Sequence, residues 1–166
     1  MQKRKKYIAY GSNLNLEQMA VRCKTAQVAG RGEIRDYELL FRGHRDAAVA
    51  TVEPKEGARV PVLIWDIGPE DEKNLDAYEG YPRLYGKTNL TVQTENGCES
   101  IMAYTMNKGH HLGMPSDAYL NTIAKGYRDA GFDVDILMDS VSRCGDLLQK
   151  ETRETEETVW TQQPPQ

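Results

Sequence analysis

Two short stretches of this chain carry residue types that can do chemistry. The first, Tyr7-Ile8-Ala9-Tyr10-Gly11-Ser12-Asn13-Leu14, runs from an apolar strand into a glycine turn and then a helix start. Backbone N–H groups at such a junction lack intrachain partners and point at whatever lies above the turn, which suits a small carboxylate. The second, Leu75-Asp76-Ala77-Tyr78-Glu79-Gly80, leaves Glu79 at the last turn of a short predicted helix or just beyond it. There a carboxylate meets the negative end of the helix dipole. Its neighbours Tyr78, Tyr81, Pro82, Leu84 and Tyr85 can desolvate it, and both effects push its pKa upward. A carboxylate so tuned is a general acid/base near neutral pH. The plainer readings, a simple strand-to-helix connection and an exposed glutamate beside a turn, stay open at this point.

Other chemistries are set aside by inspection. Ser12 lacks the second glycine of a nucleophile elbow, and no glycine loop with a lysine is present to cradle phosphate. Cys23 falls on the apolar face of its helix, where a buried structural thiol is expected. Cys23, Cys98 and Cys144 form no Cys-x-x-Cys pair, so neither disulfides nor zinc are expected. His110 and His111 are adjacent and cannot face one way, so a surface loop is expected there and no metal. With Lys+Arg 21 against Asp+Glu 25, net charge −4, and basic residues scattered beyond Lys3-Arg4-Lys5-Lys6, no nucleic-acid face is expected. No apolar run approaches membrane-spanning length, and a soluble, cytoplasmic protein is expected.

The elements that must position the two stretches follow from pattern. Tyr7 to Tyr10 reads as a buried strand, and Gly11 as a sharp turn through its conformational freedom. Asn15 is the N-cap of a helix carrying Leu16, Met19, Ala20 and Cys23 on one face, with Gln18 in the capping-box position. Ala26 to Arg31 reads as a strand or link, Gly30-Arg31-Gly32 as a turn, and Glu33 to Phe41 as a strand closed by Gly43 to Asp46. Ala47 to Val52 and Arg59 to Ile67 read as a hairpin about the turn Glu53 to Gly57. Pro69 and the acids after it start the helix that Gly80 ends. Tyr85 to Thr94 and Glu99 to Met106 pair across Glu95-Asn96-Gly97, whose Asn-Gly suits a type I′ turn. After a loop from Asn107 to Pro115, Ser116 caps a helix with Tyr119 and Tyr127, ended by Gly131, and Asp133 caps the last helix. One domain over 1–150 is expected. From Glu151 the polar composition predicts a frayed tail ending in Pro164-Pro165-Gln166, with Val159 and Trp160 docking somewhere.

Tyr10-Gly11-Ser12-Asn13-Leu14, followed at this distance by the stretch from Leu75 to Gly80, resembles the γ-glutamylcyclotransferase family. Ala29-Gly30 through Tyr37 and Phe41, Tyr85, Ala103-Tyr104, and Pro115-Ser116 with Tyr119 and Gly126 extend the resemblance over residues 7 to about 131. It implies an α+β fold, a small mixed closed β-barrel-like sheet with flanking helices. It also implies an enzyme in which the α-amine of a γ-glutamyl amide attacks its own γ-carbonyl, closing 5-oxoproline and releasing an amine or amino acid. Glu79 is then the acid/base, and Tyr7, Ile8, Ala9, Tyr10, Gly11, Ser12, Asn13, Tyr85 and Tyr119 line the substrate site, with Tyr104 a weaker candidate. Gly43 to Asp46 and Asn107 to Pro115 are candidates for the opposite wall. The resemblance implies no metal, cofactor or covalent intermediate. Its partner is a small γ-glutamyl molecule, with a monomer or homodimer expected. A different class of function on the same fold, a non-catalytic module sequestering a small acidic ligand, is the alternative.

Overall fold

The fold is built on two unusually long strands that pair along their whole length. The computed structural model describes residues 3–162. In chain order these form β1 (Lys5–Ala9), a single 3-10 turn (Ser12–Leu14), α1 (Leu16–Arg22), β2 (Gln27–His44), β3 (Ala47–Ile67), α2 (Pro69–Glu79), β4 (Tyr85–Thr94), β5 (Gly97–Met106), α3 (Asp117–Ala130) and α4 (Val134–Thr161). The strands close into a barrel in the order β1-β3-β2-β4-β5. β1 runs antiparallel to β3, from Lys5 opposite Ile67 to Ala9 opposite Leu63. It lies parallel to β5, with Tyr7 opposite Met102, so the sheet is mixed. Ile8, Ile34, Phe41, Val60, Val62 and Val92 are fully buried, as the alternation of their strands requires, and Leu75, Ile123 and Leu137 pack helices against them. No helix among the described residues is long and apolar enough to cross a membrane.

The β2–β3 ribbon replaces four expected strands with two. Gly30-Arg31-Gly32 does not turn the chain: the ladder slips between Val28 and Gly30 and then resumes with the same partner. The expected turn at Glu53 to Gly57 is likewise a bulge, because Arg35 pairs with Arg59 and Tyr37 with Pro54. Asp36 and Gly57 supply positive φ there, 62° and 82°, and the Gly57 N–H donates to Asp36 Oδ1 at 2.9 Å. The local turn chemistry is real, but the strand carries on beyond it, which bends the ribbon enough to close the barrel. The hairpin reverses instead at Arg45-Asp46. At the β4–β5 tip, Thr94 pairs with Gly97 and only Gly97 has positive φ, so the turn is not type I′.

The helices hold two further corrections. In α1, Leu16 is exposed and Ala20 with it, while Leu14, Met19 and Cys23 are buried. α4 continues through the segment expected to fray, as far as Thr161, with Thr152, Thr155 and Thr158 hydroxyls donating to carbonyls one turn back. Every described residue from Glu151 onward is exposed, and neither Val159 nor Trp160 docks. Pro164-Pro165-Gln166 lies outside the described residues.

Candidate active site

Strand β1 delivers its end to one mouth of the barrel, where the chain leaves as the 3-10 turn. The Leu14 N–H donates to the Gly11 carbonyl at 3.0 Å and the Asn15 N–H to the Ser12 carbonyl at 3.0 Å. The N–H groups of Gly11, Ser12 and Asn13 precede these, and no side chain among the described residues takes them. Gly11 has φ −121°, so left-handed backbone is not what favours glycine here; a Cβ would stand in tight contact 3.2 Å from Ala50 Cβ and 3.5 Å from the Tyr119 hydroxyl. Asn15 caps α1 as expected, accepting from the Gln18 N–H at 3.0 Å, and its Nδ2 donates to the Thr122 carbonyl of α3 at 3.2 Å. Gly126 lets α3 lie directly on this turn, since a Cβ there would meet Leu14 Cβ at 2.5 Å.

Glu79 arrives from the other side as the last residue of α2. Asp71 fixes the start of that helix, accepting from the Gly68 N–H at 3.0 Å and the Thr25 N–H at 3.2 Å. Gly80 ends it in left-handed backbone at φ 62°, and its carbonyl accepts from the Leu84 N–H at 2.9 Å. The Glu79 Oε1 lies 3.5 Å from Asn13 Nδ2. Burial pushes the Glu79 carboxyl up to about 7, and the Arg22 guanidinium nearby opposes the rise. Desolvation by the tyrosine-lined wall is the principal cause, as the neighbouring residue types suggested.

Tyrosines make most of that wall. The Tyr10 hydroxyl donates to the Tyr104 carbonyl at 2.5 Å, and the Ser12 and Tyr78 hydroxyls lie 2.9 Å apart. Both main-chain groups of Ala50 in β3 are held by phenols: Tyr85 donates to its carbonyl at 2.5 Å, and its N–H donates to the Tyr119 hydroxyl at 3.0 Å. The Tyr85 proton is thereby engaged, whereas Tyr119 keeps its own proton to offer. Tyr104 turns its hydroxyl away, donating to Asp76 Oδ1 at 2.5 Å. Burial raises the pKa of Tyr7, Tyr10, Tyr85, Tyr104 and Tyr119 well above the ordinary phenol range, so all five are neutral at physiological pH.

These groups enclose a cavity of about 250 Å³. Of the residues expected there, Tyr7, Ile8, Tyr10, Gly11, Ser12, Asn13, Glu79, Tyr85 and Tyr119 line it, and Tyr104 joins them. Ala9 does not: it is buried in the barrel as the last residue of β1, opposite Leu63. Tyr78 and Leu84 belong to the wall as expected, but Tyr81 and Pro82 do not. The opposite wall is formed by Val49 and Ala50, and not by Gly43 to Asp46 or Asn107 to Pro115. Sequence reasoning missed that wall because what Ala50 contributes is backbone. It also missed Arg22, whose one visible signal is its spacing one turn after Gln18.

The comparisons with known proteins converge on one family. Gamma-glutamylcyclotransferase of Bos taurus is 25% identical over 137 residues, 78% of this chain and 73% of that protein. The Homo sapiens protein of the same name is 24% identical over 137 residues, with the same shares covered. A solved structure described as Gamma-glutamyl cyclotransferase matches with a TM-score of 0.75 at 21% identity, over 89% of this chain and 99% of that one. The crystal structure of an uncharacterized protein from Homo sapiens gives the same TM-score at 23% identity, over 84% and 87%. The family model described as Gamma-glutamyl cyclotransferase, AIG2-like matches residues 7–126, from the buried Tyr7 to the helix glycine under the 3-10 turn, and the chain belongs to that family.

Proposed function

We propose that this protein is a γ-glutamylcyclotransferase-type enzyme that releases 5-oxoproline and a free amine or amino acid from a γ-glutamyl amide, with Glu79 as general acid/base. One observation carries the reading: Glu79, whose carboxyl burial pushes up to about 7, lines the same small cavity as Gly11, Ser12 and Asn13, whose N–H groups have no partner among the described residues. The nucleophile is the substrate's own α-amine, an ammonium ion near neutral pH. Ionised Glu79 takes a proton from it, and the freed amine attacks the γ-carbonyl carbon to give a tetrahedral oxyanion. Collapse breaks the bond to the amide nitrogen. Over the whole sequence two protons leave the attacking nitrogen and two reach the departing one, and Glu79 relays them.

In this reading the turn N–H groups and the Tyr119 proton, left over from its bond with the Ala50 N–H, receive the α-carboxylate or the developing oxyanion. Neutral phenols around Glu79 exclude water without introducing a competing charge. Ring closure is intramolecular, so holding amine and carbonyl together supplies much of the acceleration.

The test is incubation of the purified protein with γ-glutamyl dipeptides and γ-glutamylamines, including an isopeptide-linked lysine, with 5-oxoproline quantified by mass spectrometry. Product from at least one class supports the reading. Saturable binding of these compounds with no product from any would favour a sequestering module instead.

A further inference from the structure

We propose that Arg22, outside the cavity lining, is a positioning residue that locks the Asn13 side-chain amide with its nitrogen toward Tyr7 and Glu79. This rests on the reading of Glu79 as the acid/base and extends it to the group behind it.

The oxygen and nitrogen of an asparagine are nearly the same size, so neighbours decide which way it points. A guanidinium can only donate, and Arg22 donates through one terminal nitrogen to Asn13 Oδ1. The oxygen is therefore committed to Arg22, and Nδ2 must face the other way. There it donates to the Tyr7 hydroxyl at 2.9 Å and lies 3.5 Å from Glu79 Oε1. The reversed amide would set its oxygen against the Glu79 carboxylate, acceptor against acceptor, and disfavour the ionised base.

Arg22 is itself fixed on three sides. Its guanidinium carbon stands 3.4 Å from the centre of the Tyr78 ring, its second terminal nitrogen donates to Gln18 Oε1 at 3.2 Å, and its carbonyl accepts from Asn74 Nδ2 at 3.2 Å. The Asn13 main chain is pinned as well, its carbonyl accepting from Trp65 Nε1 at 3.0 Å. A planar fork stacked on an aromatic ring is an arginine property, which lysine does not reproduce.

Arg22 also supplies a full positive charge near the base. Among the described residues, the titratable groups coupled to Glu79 are Tyr7 from β1, Tyr10 just beyond it, Tyr85 from β4 and Tyr119 from α3, all neutral phenols, and Arg22 from α1. Removing that cation leaves burial unopposed.

The experiment pairs a titration with a mutant cycle. The Glu79 side-chain carboxyl is titrated by NMR in wild type, Arg22→Met and Arg22→Lys, which needs no substrate and so reads out even if no γ-glutamyl compound is turned over. kcat/KM for 5-oxoproline formation is then measured for Arg22→Met in the wild-type and Asn13→Ala backgrounds. The titration midpoint should move upward in Arg22→Met, and by less in Arg22→Lys, which keeps the charge but leaves the Asn13 amide free to turn. Arg22→Met should lower kcat/KM by about tenfold, and that loss should shrink to about twofold or less once Asn13 is gone. Arg22→Lys should keep most of the rate loss despite its charge. An unmoved midpoint in Arg22→Met, or an undiminished loss in the Asn13→Ala background, would overturn the proposal. Should Arg22→Met fail to fold, Arg22→Lys decides: a wild-type rate there overturns it too.

Discussion

Asn13 and Glu79 stand 66 positions apart in the chain, yet Asn13 Nδ2 and Glu79 Oε1 lie within 3.5 Å of each other. The separation is at the long end for a hydrogen bond. Local features at both ends of that stretch set the distance. β1 and the 3-10 turn place Asn13, Gly80 ends α2 one residue after Glu79, and Asp71 fixes where that helix begins.

The pH dependence follows with two signs. The base must be ionised to act, so kcat/KM should rise with pH through about 7, the value to which burial lifts Glu79. Stability should move the other way. A carboxyl whose folded pKa exceeds its ordinary 4.5 stabilises the native state most fully below that value, and loses the contribution as pH rises toward 7. Glu79→Gln should therefore gain stability relative to wild type across that window, by about 3 kcal/mol at the upper limit, at ~1.4 kcal/mol per pH unit. Partial solvent contact makes the true gain smaller. Denaturant unfolding of both proteins at pH 5 and pH 8 checks it, and a difference that does not widen with pH would count against a buried acid.

Gly126 offers a test by sign. Alanine in place of glycine inside a helix ordinarily adds about 1 kcal/mol. Here the new Cβ would fall 2.5 Å from Leu14 Cβ and 2.6 Å from the Leu14 carbonyl carbon. Gly126→Ala should thus lose about 1–3 kcal/mol as α3 and the turn are forced apart, with a lower Tm and slower turnover. A raised Tm would show that the turn does not depend on this contact.

Much of the site could be read before any coordinates because its signals are local. Asn15 three residues before Gln18, Gly80 directly after Glu79, and Ser116 ahead of Tyr119 each fix a helix end within one turn of chain. The barrel was less legible. Gly30-Arg31-Gly32 and Glu53 to Gly57 carry genuine turn chemistry, and nothing local says that the strand resumes against the same partner beyond each bulge. Long-range pairing overrides the local preference there. Ala50 acts through its backbone and Arg22 through Asn13, so neither announces itself by residue type. The helix beyond Glu151 was masked by its polar composition, since an extension of α4 needs no buried face of its own.

Tyr119 and Tyr85 hold the two sides of Ala50, but they should respond differently to loss of the hydroxyl. Tyr119→Phe removes both an acceptor for the Ala50 N–H and the phenolic proton left for substrate. Tyr85→Phe removes a donor to the Ala50 carbonyl, whose proton was already engaged. Each should destabilise by about 1–3 kcal/mol, the cost of a buried main-chain group left unpaired. Tyr119→Phe should in addition lower kcat/KM about tenfold more than Tyr85→Phe. Equal kinetic effects would mean that Tyr119 is only a wall.

The central claim is that one poorly solvated acid, opposite a turn of main-chain donors, serves a substrate that closes on itself. It is tested most directly by single-turnover formation of 5-oxoproline from a saturating γ-glutamyl substrate, comparing wild type with Glu79→Gln. The account predicts intact substrate binding with a rate lower by about 10²–10⁴-fold, the range for loss of a positioned general acid/base. A Glu79→Gln protein that forms 5-oxoproline at the wild-type rate would contradict it.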